Sequence, residues 1–132
     1  MKKRLLCLLL VICMVFSMLP ITALAAEVNS ANPFTDVKID TWYYEAVQYA
    51  RLNGFFNGID EDTFAPNGTM TRGMFVTVLG RMAGVDIVNY LGESTFSDVP
   101  TDAYYAPYVA WAARHQITSG AGEDTFSPDA LI

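Results

Sequence analysis

The chain has 132 residues, 52% of them hydrophobic, and carries 14 Asp and Glu against eight Lys and Arg. That hydrophobic content excludes a disordered polyelectrolyte. The acidic balance excludes the basic face that nucleic-acid binding requires.

Lys2, Lys3 and Arg4 form a basic tip, followed by the apolar run LLCLLLVICMVFSML and then Pro20. Ala23 and Ala25 place small residues where a signal peptidase reads, so residues 1–25 are predicted to be a cleaved secretory signal. The run is shorter than the ~20 apolar residues that span a bilayer, and no membrane attachment is expected after cleavage. Cys7 and Cys13 lie inside this run and leave with it, so the mature fold must rest on packing rather than disulfides. Loss of the three basic residues leaves five Lys and Arg against 14 acidic residues, a net charge of −9. Such a chain can still hold an anionic polysaccharide if one local arginine meets it.

After a linker over 26–33, a first unit is predicted over 34–84. Asp40 reads as an N-cap for a helix whose Trp42, Ala46, Val47 and Ala50 fall at helical spacing, with Gly54 as its stop. The loop NGIDEDTFAPNGTM follows, rich in turn formers, with Phe64 as the plug that pins it to the core. Thr71 is the natural cap for RGMFVTVLGRM, in which Phe75, Val78, Leu79 and Met82 form one apolar face, ending near Gly84. Residues 85–95 connect to a second unit over 96–132. There Asp102 is the equivalent cap, Pro107 falls in the first turn, and Tyr108, Val109, Ala112 and Ala113 carry the buried stripe. Trp111 and Tyr49 read as mid-helix packing residues. The fold class is mostly α, built of helix-loop-helix repeats.

The two units match without gaps at a spacing of 62 residues, from Phe34/Phe96 through Asp36/Asp98 and Val47/Val109 to Phe64/Phe126 and Pro66/Pro128. A fixed period of this kind marks stacked supersecondary units. The second copy, SGAGEDTFSPDALI, reaches Ile132 without the TRG that follows the first.

These residues resemble the S-layer homology domain family, through FTDV…W…A…G…G…DTFAP…TR in the first unit and FSDV…Y…A…G…EDTFSP in the second. The resemblance covers Phe34 to Ile132 and implies an incomplete pseudo-threefold bundle of helix-loop-helix repeats. It further implies grooves between repeats that hold an anionic cell-wall polysaccharide, typically one carrying pyruvate ketals, so that an exported protein is anchored at the cell wall or S-layer. Carried over by position, the ligand-binding residues would be Arg72, Asp98 and Tyr104 in the most complete groove, with Asp36 and Trp42 in the first unit. A guanidinium beside free N–H groups at a helix start suits a carboxylate. Met74 stands where the family usually has the glutamate that closes a capping box with the threonine.

Competing expectations exist for the same residues. Arg72 could lock the loop to its helix, and Asp36 and Asp98 could close turns. Trp42 could be a core anchor. An EF-hand starting at Asp60 would need an oxygen ligand, Gly and Glu where Phe64, Ala65 and Thr71 stand, so no metal site is expected. With His115 the only histidine and no mature cysteine or phosphate loop, no catalysis and no cofactor are expected. The alternative to an anchoring module is a truncated structural or assembly fragment of a larger surface protein or wall hydrolase, without independent binding. Self-association through exposed bundle faces is a further expectation.

Overall fold

The computed structural model describes residues 32–93 and 96–132. The expected signal peptide and nearly all of the linker lie outside the described residues. Within Asn32–Ile132 the chain forms three α-helices: α1 (Tyr44–Leu52), α2 (Arg72–Met82) and α3 (Ala106–Arg114), with a 3-10 turn over Ile87–Tyr90. Helices α1 and α3 begin and end at positions 62 residues apart, so the repeat is structural as well as sequential.

Both units enter their first helix later than the aspartates suggest. Thr41 N–H donates to Lys38 O at 3.1 Å and Tyr44 N–H to Thr41 O at 3.1 Å; Ala103 and Ala106 repeat the pattern on Pro100 and Ala103. These successive tight turns run directly into the helix, so no abrupt extended-to-helical step is left for Asp40 or Asp102 to cap. Tyr43 and Tyr105 occupy the cap positions instead, without side-chain cap bonds. Pro107 sits in the first turn of α3, where its missing N–H costs nothing. Thr71 does cap α2, its hydroxyl accepting from Met74 N–H at 3.2 Å.

All three helices close alike. Phe55 N–H reaches back to Ala50 O and Gly54 N–H to Arg51 O; Val85 and Gly84 do the same on Gly80 and Arg81, and Ile117 and Gln116 on Ala112 and Ala113. This paired closure needs a left-handed residue after the cap. Gly54 and Gly84 supply it at φ of 69° and 65°, whereas α3 uses Gln116 at 59°.

The core is one kernel used twice. Phe34, Val37 and Val47 are buried together with half-buried Phe64, and their counterparts Phe96, Val99, Val109 and Phe126 form the second kernel. The second is larger because Val76 of α2, together with Ala106 and Ala112, joins it. Helix α2 buries a different face from the expected one. Gly73, Val76, Thr77 and Gly80 are inside, while Phe75 and Met82 remain 45% and 59% exposed. The buried stripe keeps helical spacing, but its small residues let α2 lie against aromatic rings: the Cβ site of Gly73 is 3.0 Å from Tyr105 Cδ1, and that of Gly80 meets the ring of Tyr108.

Tyr49 also departs from the packing expected of it, being 64% exposed, whereas Trp111 is half-buried against the second kernel. Trp42 lies outside α1 and is 92% exposed, so it anchors no core. The connector is fastened to α3. Arg114 pairs with Glu93 and stacks over Tyr90 at 4.7 Å, and Tyr90 Oη shares a hydrogen bond with His115 Nε2 at 3.1 Å. This exposed ion pair adds at most about 1 kcal/mol.

Candidate functional site

Each unit ties its opening FxDV segment to its acidic loop through the aspartate. Asp36 accepts from Phe64 N–H at 2.9 Å and Ala65 N–H at 2.7 Å; Asp98 accepts from Phe126 and Ser127 N–H, both at 2.7 Å. The Phe64 amide leads the effects that hold the Asp36 carboxyl below its usual range. For Asp98, burial pushes the carboxyl up, but the two backbone donors and the nearby Arg72 charge outweigh it, and the net shift is downward. The bidentate grip holds Ala65 and Ser127 in left-handed backbone at φ of 59° and 56°. Gly58 and Gly120 close the other side of each loop. A Cβ on Gly58 would stand 2.6 Å from Phe34 Cε1, and one on Gly120 2.6 Å from Thr125 O.

The loop of the second unit then runs as a strap across the start of α2. Ile132 N–H donates to Met70 O at 3.1 Å, Arg72 N–H to Ala130 O at 2.9 Å and Gly73 N–H to Pro128 O at 2.9 Å. With Met74 N–H on the Thr71 hydroxyl, the first amides of α2 are all occupied. The free N–H groups expected beside Arg72 are therefore absent, because the strap supplies backbone carbonyls in their place.

Arg72 is held by that strap. Its Nε donates to Phe126 O at 2.9 Å, and its guanidinium lies over the Phe126 ring at 4.7 Å. Both terminal nitrogens are without hydrogen-bond partners among the described residues. The structure thus brings together Arg72 and Asp98, through the loop that both grip. It does not bring Tyr104 to them.

Tyr104 instead lines a groove of about 500 Å³ between the first unit's loop and α2, together with Arg81. Burial pushes its phenol up while the Arg81 charge pulls the other way. Tyr104 and Trp42 are equivalent exposed rings, each set edge-on against the following tyrosine, at 5.1 Å and 5.4 Å. Trp42 and Asp36 belong to the first unit, and no hydrogen bond or ring contact joins them to Arg72 among the described residues. Arg81, whose Nη1 reaches Phe55 O at 3.4 Å, escaped the sequence reading. The signal was present in composition: residues 26–132 hold only five basic residues, which invites a role for each.

The family model described as the S-layer homology domain matches residues 33–73 and 95–132. Among curated proteins, the chain is 33% identical over 117 residues to the "Surface-layer 125 kDa protein" of Lysinibacillus sphaericus, a match covering 83% of this chain and 10% of that protein. It is 28% identical over 133 residues to a "Cell surface protein" of Thermoanaerobacter kivui, covering 98% of this chain and 17% of the relative. A "Cellulosome-anchoring protein" of Acetivibrio thermocellus is 27% identical over 117 residues, covering 82% and 25%. The chain therefore spans a quarter or less of the length of these relatives. No solved structure gives a significant match.

Proposed function

The chain belongs to the S-layer homology domain family, and from that premise we propose that it works as an exported, non-catalytic module anchoring a surface protein to the envelope by binding an anionic secondary cell-wall polymer. Family membership and relatives at the cell surface support the anchoring role. The observation that carries the polysaccharide reading is Arg72. Its guanidinium is fixed by a backbone carbonyl and an aromatic ring, yet its terminal N–H groups remain open for a carboxylate.

Of the other proposed ligand residues only Asp98 shares a loop with Arg72, but each has a physical role. Asp98 holds the strap that positions the guanidinium, and its oxygens retain lone pairs for a sugar hydroxyl. Tyr104 and Trp42 offer exposed rings on which a sugar face can stack, and Asp36 does for the first loop what Asp98 does for the second. An anionic ligand would approach a chain of net charge −6, or −9 once residues 1–25 are removed. Its attraction must therefore come from the local arginine, and binding should weaken as salt rises.

Co-sedimentation of residues 26–132 with purified cell walls tests this, before and after extraction of the secondary polymer, with Arg72→Ala alongside and circular dichroism reporting the fold of both. Binding that disappears with the polymer and drops in the folded variant is the expected result. A folded wild-type chain that ignores the walls would refute the proposal.

A further inference from the structure

Asparagine is followed by glycine three times, at Asn53, Asn57 and Asn67, all between α1 and α2. Such pairs are chemically labile, because a glycine nitrogen, with no side chain beside it, can approach the asparagine amide carbon. The structure separates the three. Asn53 closes α1: its Nδ2 donates to Tyr49 O at 2.8 Å and Gly54 N–H to Arg51 O at 2.9 Å, so both reacting groups are tied. Asn67 stands in a turn whose closing bond, Gly68 N–H to Ala65 O at 2.8 Å, engages the nitrogen that would attack. Asn57 is exposed on an irregular stretch. Among the described residues, neither its side chain nor the Gly58 N–H has a hydrogen-bond partner.

The second unit shows why the Gly58 amide is open. There Gly120 N–H donates to Thr118 Oγ1 at 3.1 Å, a hydroxyl closing a small turn on the backbone. The first unit's equivalent of Thr118 is Phe56, which has no hydroxyl and whose ring lies 5.9 Å from that of Phe64. A ring that packs on Phe64 has thus taken the place of the local acceptor. Ser119 stands at the position of Asn57, so the second unit has neither the labile amide nor the free nitrogen.

We propose that Asn57 is a site of spontaneous deamidation, selected among the three by the free nitrogen of Gly58. After the Gly58 N–H gives its proton to solvent base, the nitrogen bonds to Asn57 Cγ, the Cγ–Nδ2 bond breaks and ammonia leaves. Water then opens the cyclic imide at either carbonyl, leaving an aspartate or an isoaspartate at position 57. The product changes the groove of about 500 Å³ that Asn57 lines. Among the described residues that line it, Arg81 is the only charged one, and a carboxylate at 57 offsets that charge. The isoaspartate form also lengthens the backbone by one carbon beside Gly58. The Cβ site of Gly58 is 2.6 Å from Phe34 Cε1 and 2.7 Å from Thr63 O, so this segment has little slack to absorb the insertion. The inference stands apart from the polysaccharide reading, since the reaction needs only the chain and water.

The purified chain is aged in neutral buffer, folded and in urea, and sampled by peptide mapping that resolves amide, aspartate and isoaspartate at each asparagine. In the folded chain, Asn57 should be lost about fivefold or more faster than Asn53 and Asn67, the factor set by one hydrogen bond that must open first. In urea the three rates should converge, and Asn57→Gln should remove the acidic species that ion exchange separates. The second unit supplies the control. Ser119→Asn should keep its new amide, because Thr118 holds the following nitrogen, and adding Thr118→Val should make position 119 labile. Circular dichroism confirms that each variant is folded. If Asn57 is lost no faster than the other two in the folded chain, the proposal is overturned. A lead for Asn57 that persists in urea would also overturn it, since flanking sequence and not the free nitrogen would then select the site. So would a Ser119→Asn chain that loses its amide as fast as Asn57.

Discussion

The seam between α2 and α3 runs through glycines, and two substitutions in one helix test that arrangement. Gly80→Ala adds a methyl that falls within the van der Waals shell of the Tyr108 ring, whose Cε1 lies 3.0 Å from the Cβ site. Overpacking of this sort costs about 1–3 kcal/mol. The alanine returns roughly 0.5–1 kcal/mol by restricting the unfolded chain in a helix interior. The net is a loss of roughly 1–2 kcal/mol, or a midpoint lowered by roughly 5–10 °C for a domain of this size. Gly73→Ala is the control. Its Cβ would sit 3.0 Å and 3.2 Å from the Tyr105 ring and 3.3 Å from Pro128 O, contacts that small shifts relieve. Its net effect should lie within about 0.5 kcal/mol of zero. Thermal and urea unfolding of residues 26–132 read both variants. Adding Tyr108→Leu to Gly80→Ala should recover part of the loss, a coupling that a double-mutant cycle measures. A Gly80→Ala midpoint equal to that of the unsubstituted chain would refute the glycine seam.

Gln116→Gly relieves the left-handed position that ends α3 and should stabilise the unit by roughly 0.5–1 kcal/mol, seen as a raised urea midpoint. Phe126→Ala should cost about 3–5 kcal/mol, and Phe64→Ala distinctly less, because only Phe126 is covered by α2. Asp98 has a folded-state carboxyl below its ordinary value of 3.8, so its contribution is fully present above that pH and is lost as pH falls through the lower folded value. Acid unfolding followed by circular dichroism should therefore steepen below pH 3.8, and Asp98→Asn should flatten that limb while lowering stability at neutral pH.

The repeat, the helix stops at Gly54 and Gly84, the Thr71 cap and the plugging by Phe126 were legible because each depends on local chemistry. The entry into α1 and α3 was not. Asp40 and Asp102 are good caps in isolation, but a chain already coiled in tight turns presents no cap geometry. The buried face of α2 was hidden for a different reason. Hydrophobic periodicity weighs Phe75 and Met82 above Gly73 and Gly80, whereas the neighbouring tyrosines reward the absence of a side chain. At the candidate site, Arg72 was legible from its motif and Arg81 was not. That the amides beside Arg72 are filled depends on a strap from the other unit, a long-range fact that no local window contains.

That strap has a consequence for how the molecule comes into being. Arg72 grips a carbonyl 54 positions further along the chain, and the first amides of α2 depend on Pro128 and Ala130. During synthesis, these groups must remain hydrated until that distant stretch has emerged. Contacts of such separation make folding slow, because the entropy of closing the loop is spent before the contacts form. Unlike a solenoid whose units can form one after another, the start of α2 waits for the second unit's loop, although the first kernel is self-contained. The docking of α2 therefore depends on the return of the strap, and a chain interrupted before that return would expose the groove-facing and the strap-facing sides of α2 together.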